Sequence, residues 1–119
     1  MEIKLFDSEL KVMETLWKEG DLPASEMAKL LKRETGWNRN TTYTVIKKCI
    51  EKGAIERIEP NYVCHALVTK EYIQQVESSS LVNKMFEGSI EKFVAAFVGQ
   101  QKLSVEEVER LQNLIEEMK

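Results

Sequence analysis

The side chains best placed to do chemistry lie in one stretch, Trp37 to Gly53, WNRNTTYTVIKKCIEKG. Val45, Ile46, Cys49 and Ile50 fall at i, i+1, i+4 and i+5, so they share one face of a helix. Arg39, Thr41, Tyr43, Thr44, Lys47 and Lys48 lie largely off that face. Asn38 or Asn40 can cap the start, and Gly53 can take the left-handed position that ends the helix. Ammonium and guanidinium groups neutralise phosphates, and hydroxyl and methyl groups meet base edges. A helix lying in a DNA major groove needs both. An ordinary solvated helix face carries the same residue types, so the surrounding sequence has to separate the two.

Charge is distributed in favour of DNA. The 119 residues carry a net charge of −3, which taken alone argues against a nucleic-acid partner. Residues 29–52 nevertheless hold seven basic residues against two acids, a net of +5, whereas residues 1–28 hold three against seven, a net of −4. A local field steers partners even when the total is acidic. The length allows one domain, or one small domain with an appendage, and a modest core that a second copy could complete. No signal peptide and no run of about 18 apolar residues is visible, so a soluble cytoplasmic protein is expected.

Three helices must position the polar face. Residues 7–19 form the first, with Asp7 or Ser8 as cap, Leu10, Met13, Leu16 and Trp17 as its apolar stripe, and Gly20 closing it. Pro23 suits the first position of a second helix that turns Met27, Ala28, Leu30 and Leu31 inward and ends at Thr35-Gly36. The polar-faced helix is third. Beyond Gly53, residues 54–58 and 62–67 are short β-leaning runs separated by the turn residues Glu59-Pro60-Asn61. Three helices followed by a short hairpin are the winged form of the helix-turn-helix. The fold class is therefore mainly α with a small β-hairpin wing (α+β), with a winged-helix domain over residues 1–68.

Residues 69–119 return to helix, without a basic excess. Thr69 can cap a helix carrying Ile73, Val76, Val82, Met85 and Phe86. Ser78-Ser79-Ser80 makes a small-residue patch or kink in it, and Gly88-Ser89 breaks it. Ile90, Phe93, Val94, Phe97 and Val98 repeat with the spacing of a core-facing stripe. Ser104-Val105-Glu106-Glu107 is a capping box, with Leu103 and Val108 as a hydrophobic staple. Val108, Leu111, Ile115 and Met118 then run like a short coiled-coil seam. Three such helices expose more apolar stripe than they can cover among themselves. A homodimer through residues 69–119 is expected, with Ile73, Val76, Phe86, Phe93, Phe97, Val108, Leu111 and Ile115 in its interface. The alternative is a three-helix pack against the wing domain.

In these features the chain resembles the penicillinase-repressor family, bacterial transcriptional repressors of the BlaI, MecI and CopY type. The resemblance rests on Glu9-Leu10-Lys11-Val12-Met13 with Leu16-Trp17, and on Trp37, Thr41 and Thr44 with Lys52-Gly53. It extends to Phe86 with Gly88-Ser89, and to Phe97-Val98, Leu103-Ser104, Glu106-Glu107 and Leu111 in the tail. It implies a dimer that holds a pseudo-palindromic double-stranded DNA operator with two winged helices. Asn40, Thr41, Tyr43 and Thr44 stand where the family reads bases or grips the backbone, and Lys48 where it has a backbone-gripping basic residue. Lys47 adds a phosphate neutraliser. Arg57 in the wing is expected either to reach a phosphate or the minor groove or to be an ordinary surface arginine, and Trp37 reads as a packing anchor rather than a DNA ligand.

The resemblance also implies an inducing signal, such as cleavage in the dimerisation region set off by a membrane sensor-protease. The corresponding bond is Ala96–Phe97. Several positions depart from the family. Asn38-Arg39-Asn40 replaces a common Ser-Pro-Lys, Tyr43 replaces a polar or basic residue, Cys64-His65 replaces a wing aromatic, and Ala96 replaces the usual Asn. A different operator is therefore expected. The chain carries no C-terminal C-x-C cluster of the copper-responsive branch, so copper sensing by that route is not expected.

Other classes find less support. Cys49 reads as a small core residue. Cys64 and the single histidine, His65, are too few for zinc, so neither a metal nor a cofactor is expected. No constellation of Asp, Glu, Ser and His suggests an enzyme. A winged helix that docks a protein fits the acidic total, and a ligand-responsive regulator remains open, although no residue pattern specifies its pocket.

Overall fold

A computed structural model describes residues 3–100 and 102–119. The chain divides into two compact units, one ending at Ser78 and the other beginning at Ser79.

The first unit is a winged helix. Helix α1 (Asp7–Glu19) is followed by a two-residue strand β1 (Leu22–Pro23), then by α2 (Ala24–Thr35), α3 (Arg39–Glu51), β2 (Ile55–Ile58) and β3 (Val63–Ala66). The expected hairpin forms, with β2 antiparallel to β3 and Arg57 opposite Cys64. A third strand was not expected. β1 pairs antiparallel with β3 through Leu22 opposite Cys64 and Pro23 opposite Val63, giving the order β1-β3-β2. Pro23 therefore lies in an edge strand, where a missing N–H is tolerated, and α2 begins one residue later than expected. The Ala24 N–H that opens α2 donates to the Tyr62 carbonyl at 2.9 Å.

The core joins all these elements. Val12, Met13 and Leu16 of α1 meet Met27 and Leu31 of α2, Val45, Ile46 and Cys49 of α3, and Ile55 and Cys64 of the sheet. Neither Asp7 nor Ser8 caps α1. Phe6 occupies the cap position, and its N–H donates to the Glu9 carboxylate at 2.7 Å. The same carboxylate, buried at 1% exposure, is ion-paired with Lys52. Lys52 Nζ also donates to the Lys4 carbonyl at 2.7 Å and sits 4.1 Å from the Phe6 ring centroid. This buried pair fastens the end of α3 to the start of α1.

Helix α4 (Lys70–Phe86) opens with Thr69 Oγ1 accepting from the Tyr72 N–H at 3.0 Å. Before it, the Val68 carbonyl accepts from Trp17 Nε1 at 2.9 Å, and Lys70 pairs with Glu14 at 3.2 Å. Ile73, expected in a dimer interface, is instead buried at 3% exposure in the first unit's core. The N-terminal unit accordingly runs past residue 68. The helix assignment runs without interruption through Ser78-Ser79-Ser80.

The second unit holds the end of α4, α5 (Ile90–Gln100) and α6 (Val105–Glu117). Glu87 and Gly88, both at positive φ, turn the chain between α4 and α5. Phe86 packs edge-on against Phe93 at 5.5 Å, and Phe93 lies 6.0 Å from Phe97. The capping box of α6 forms in both directions, with Ser104 Oγ accepting from Glu107 N–H and Glu107 accepting from Ser104 N–H, each at 3.1 Å. Among the described residues of the second unit, the stripe on α5 packs on no buried core. No residue of α5 or α6 is buried, because a unit this small has no second layer to cover them. No helix among the described residues is long and apolar enough to cross a membrane.

Candidate nucleic-acid interface

Periodicity of apolar residues presents the polar face of α3. Val45, Ile46 and Cys49 are buried, which turns Arg39, Asn40, Thr41, Thr44, Lys47 and Lys48 outward, all of them exposed. Asn38 caps the helix, its Oδ1 accepting from Thr41 N–H at 2.8 Å. At the other end Gly53 takes φ +82°, a conformation that L side chains rarely adopt. Thr44 stands on a ridge between two grooves. Asn40, Thr41 and Lys48 border one of them with Ser8 and Trp37, and Tyr43 and Lys47 border the other with Arg57 and Tyr62. Trp37 also packs against the core.

The cations differ in how free they are. Lys47 and Lys48 make no ion pair among the described residues. Lys52, part of the basic stretch, is matched internally by Glu9. Arg39 Nη2 donates to Tyr43 Oη at 3.0 Å, and its guanidinium carbon lies 4.9 Å from the Tyr43 ring centroid. Arg57 stacks 3.7 Å from the Tyr62 ring centroid and pairs with Glu59. The two tyrosine rings meet edge-on at 5.7 Å. Tyr43, expected on the open face, is therefore half-buried against the wing. Sequence reasoning passed over Tyr62 and Glu59. The one available signal was an aromatic residue directly after the Glu59-Pro60-Asn61 turn.

Neither thiol of this unit is poised for reaction. Burial pushes the Cys49 thiol up to about 12 and the Cys64 thiol up to about 11, so both are protonated and unreactive near neutrality. His65 Nδ1 lies 2.8 Å from Asp21, not against Cys64. No group of three or more metal-ligating side chains occurs among the described residues. Burial, as the largest cause, also raises the Tyr62 phenol above its ordinary value.

The residues expected in a dimer interface divide in three. Ile73 is committed to the core of the first unit. Val76, Phe86 and Phe93 are half-buried, whereas Phe97, Val108, Leu111 and Ile115 are exposed, as is Ala96 beside the expected cleavage position. Leu81, Met85, Phe86, Phe93, Ala96 and Phe97 line an apolar groove within the second unit.

Comparison with known proteins agrees with this geometry. The family model described as Penicillinase repressor matches residues 5–117. The chain is 29% identical over 119 residues to the penicillinase repressor of Bacillus licheniformis, covering 98% of this chain and 92% of that one. It is 26% identical over 114 residues to the methicillin resistance regulatory protein MecI of Mammaliicoccus sciuri, covering 94% and 93% respectively. The solution structure of the DNA binding domain of the repressor BlaI aligns with a TM-score of 0.55 at 25% identity, over 59% of this chain and 88% of that one.

Proposed function

The chain belongs to the penicillinase repressor family, and from that membership we propose that it is a DNA-binding transcriptional repressor acting as a homodimer on a pseudo-palindromic operator. The observation that carries this reading is the open face of α3, where uncommitted Lys47 and Lys48 flank the Thr41–Thr44 ridge. With α3 in the major groove, Thr41 and Thr44 meet base edges, helped by Asn40. Lys47 and Lys48 face the phosphates on either side, and Arg57 adds a contact from the wing. Occupying the operator needs no catalytic residue. The first unit supplies the reading head. The dimerisation region expected over residues 69–119 then draws on the second unit, whose exposed apolar side chains (Phe97, Val108, Leu111 and Ile115 among them) a second copy covers.

Induction acts through that partner. Weakening the dimer, for example by cutting at Ala96–Phe97 in response to a membrane sensor-protease, removes the avidity that holds two half-sites together. Exposure of Phe97 in the single chain fits a bond that becomes accessible only when the partner leaves.

The test begins with selection of a preferred duplex from a random-sequence library, followed by fluorescence anisotropy across a salt series. Two lysines per protomer give four phosphate contacts per dimer. The Lys47→Ala/Lys48→Ala variant should then flatten the log–log salt slope by about 3.6. Failure to enrich any sequence, together with an unchanged slope, would favour a winged helix that docks a protein instead.

A further inference from the structure

The wing and the recognition helix are joined by a ladder of side chains. Arg39 lies against Tyr43, Tyr43 meets Tyr62 edge-on at 5.7 Å, and Tyr62 carries the Arg57 guanidinium at 3.7 Å. Tyr62 is tied through both of its backbone polar groups. Its N–H donates to Glu59 Oε1 at 3.3 Å, and its carbonyl accepts from Ala24 at the start of α2. Its φ of +50° is one that an aromatic residue holds only where the surroundings fix it. The second Glu59 oxygen binds Arg57 Nε. A flexible arginine on a wing strand would ordinarily lose rotamer freedom on meeting DNA. Here the ring beneath it and the carboxylate beside it have already fixed its direction.

We propose that Tyr62 is the positioning residue that aims Arg57 at a DNA phosphate, and that Glu59 is a built-in stand-in for that phosphate, occupying Arg57 until DNA displaces it. The proposal rests on the DNA-binding reading above. It makes the wing contact depend on a residue that touches no DNA. It also makes removal of an acid strengthen binding by more than its bare charge. The edge contact with Tyr43 fixes the distance between the wing arginine and α3, so the phosphate reached by Arg57 keeps a constant offset from the bases under Thr41 and Thr44.

The experiment uses the full chain, the duplex enriched by the unmodified protein, and anisotropy over a salt series, with a thermal melt of every variant. Arg57→Ala should lower the salt slope by about 0.9 per half-site, or about 1.8 per dimer. Tyr62→Leu should match Arg57→Ala, and adding Arg57→Ala to it should change the slope no further. Tyr62→Phe keeps the ring and should retain the full slope, which a role for the hydroxyl would not allow. Glu59→Gln should tighten binding about two- to thirtyfold in the dimer, the square of what an exposed ion pair returns per wing. Should Tyr62→Leu fail to fold, Tyr62→Phe and Glu59→Gln still decide the matter. A Tyr62→Phe slope as low as that of Arg57→Ala, or weaker binding by Glu59→Gln, overturns the proposal. An Arg57→Ala slope unchanged while Lys47→Ala/Lys48→Ala flattens it overturns the wing contact and leaves the α3 interface standing. If both slopes stay unchanged, the DNA-binding reading itself fails.

Discussion

Removing Lys52 should destabilise the protein far more than removing its partner Glu9. Glu9 is 1% exposed and Lys52 29%, so the two halves of the pair differ in access to water. In Lys52→Met the carboxylate stays inside with the Phe6 N–H as its one remaining donor among the described residues. Stripping a buried charge of its partner destabilises by about 3–5 kcal/mol, and the retained hydrogen bond places this case near 3 kcal/mol. In Glu9→Gln the amide oxygen still accepts from Phe6. The ammonium keeps the Lys4 carbonyl, the Phe6 ring and its water-facing side. The loss is then one partly solvated charge-assisted bond, about 1 kcal/mol. The double variant removes both charges and should lose only about 1.5 kcal/mol, a coupling of roughly 2.5 kcal/mol between the sites. Urea denaturation followed by circular dichroism measures all three. With m near 1.5 kcal/mol per molar, the midpoint should fall by about 2 M for Lys52→Met and by about 0.7 M for Glu9→Gln. Equal shifts for the two single variants, or additive shifts in the double, would refute the assignment of Glu9 as the trapped charge.

Thr42 is fully buried and its Oγ1 finds no hydrogen-bond partner among the described residues, so Thr42→Val should raise stability by about 1 kcal/mol in the same assay. The buried thiols set an alkaline limit. Their pKa values, raised from 9.0 to about 12 and about 11, mean that the native state keeps protons that the unfolded state releases. Stability from this source is fully present below pH 9.0 and falls as pH rises toward those values, by about 1.4 kcal/mol per pH unit for each thiol. Between about pH 8 and pH 10 the unmodified protein should lose about 3 kcal/mol that a Cys49→Ala/Cys64→Ala variant does not lose. Phe97→Glu should place a charge in the proposed dimer interface. It should sediment as a monomer at micromolar concentration and lose operator binding while keeping the melt of its winged helix.

The polar face of α3 was legible because helical periodicity is local: four apolar residues at known spacing determine which side turns outward. The capping box at Ser104 is local in the same way and forms as read. The start of α1 was not legible, because Asp7 and Ser8 carry the usual capping groups while the bond that forms uses Glu9, one turn in. β1 was invisible, since Leu22-Pro23 becomes a strand only through Val63 and Cys64, some forty residues away. Tyr43 reads as an open-face residue until Tyr62 is brought against it across the hairpin. Ile73 shows the limit of stripe reasoning. An apolar position on α4 looks the same whether it faces its own domain or a second chain, and packing alone decides.

With Lys52 matched by Glu9, the free cations of α3 are few and lie on its open face, in a chain whose total is −3. Ionic strength then decides what an approaching polyanion feels. In dilute salt, where fields reach about 30 Å, it meets the acidic whole and is slowed. Near physiological salt, where they reach about 8 Å, it meets only the lysines facing it. Association with DNA should therefore be fastest at intermediate ionic strength. Encounters on random sequence would be brief, and the protein would be left free to sample many sites before it settles on one.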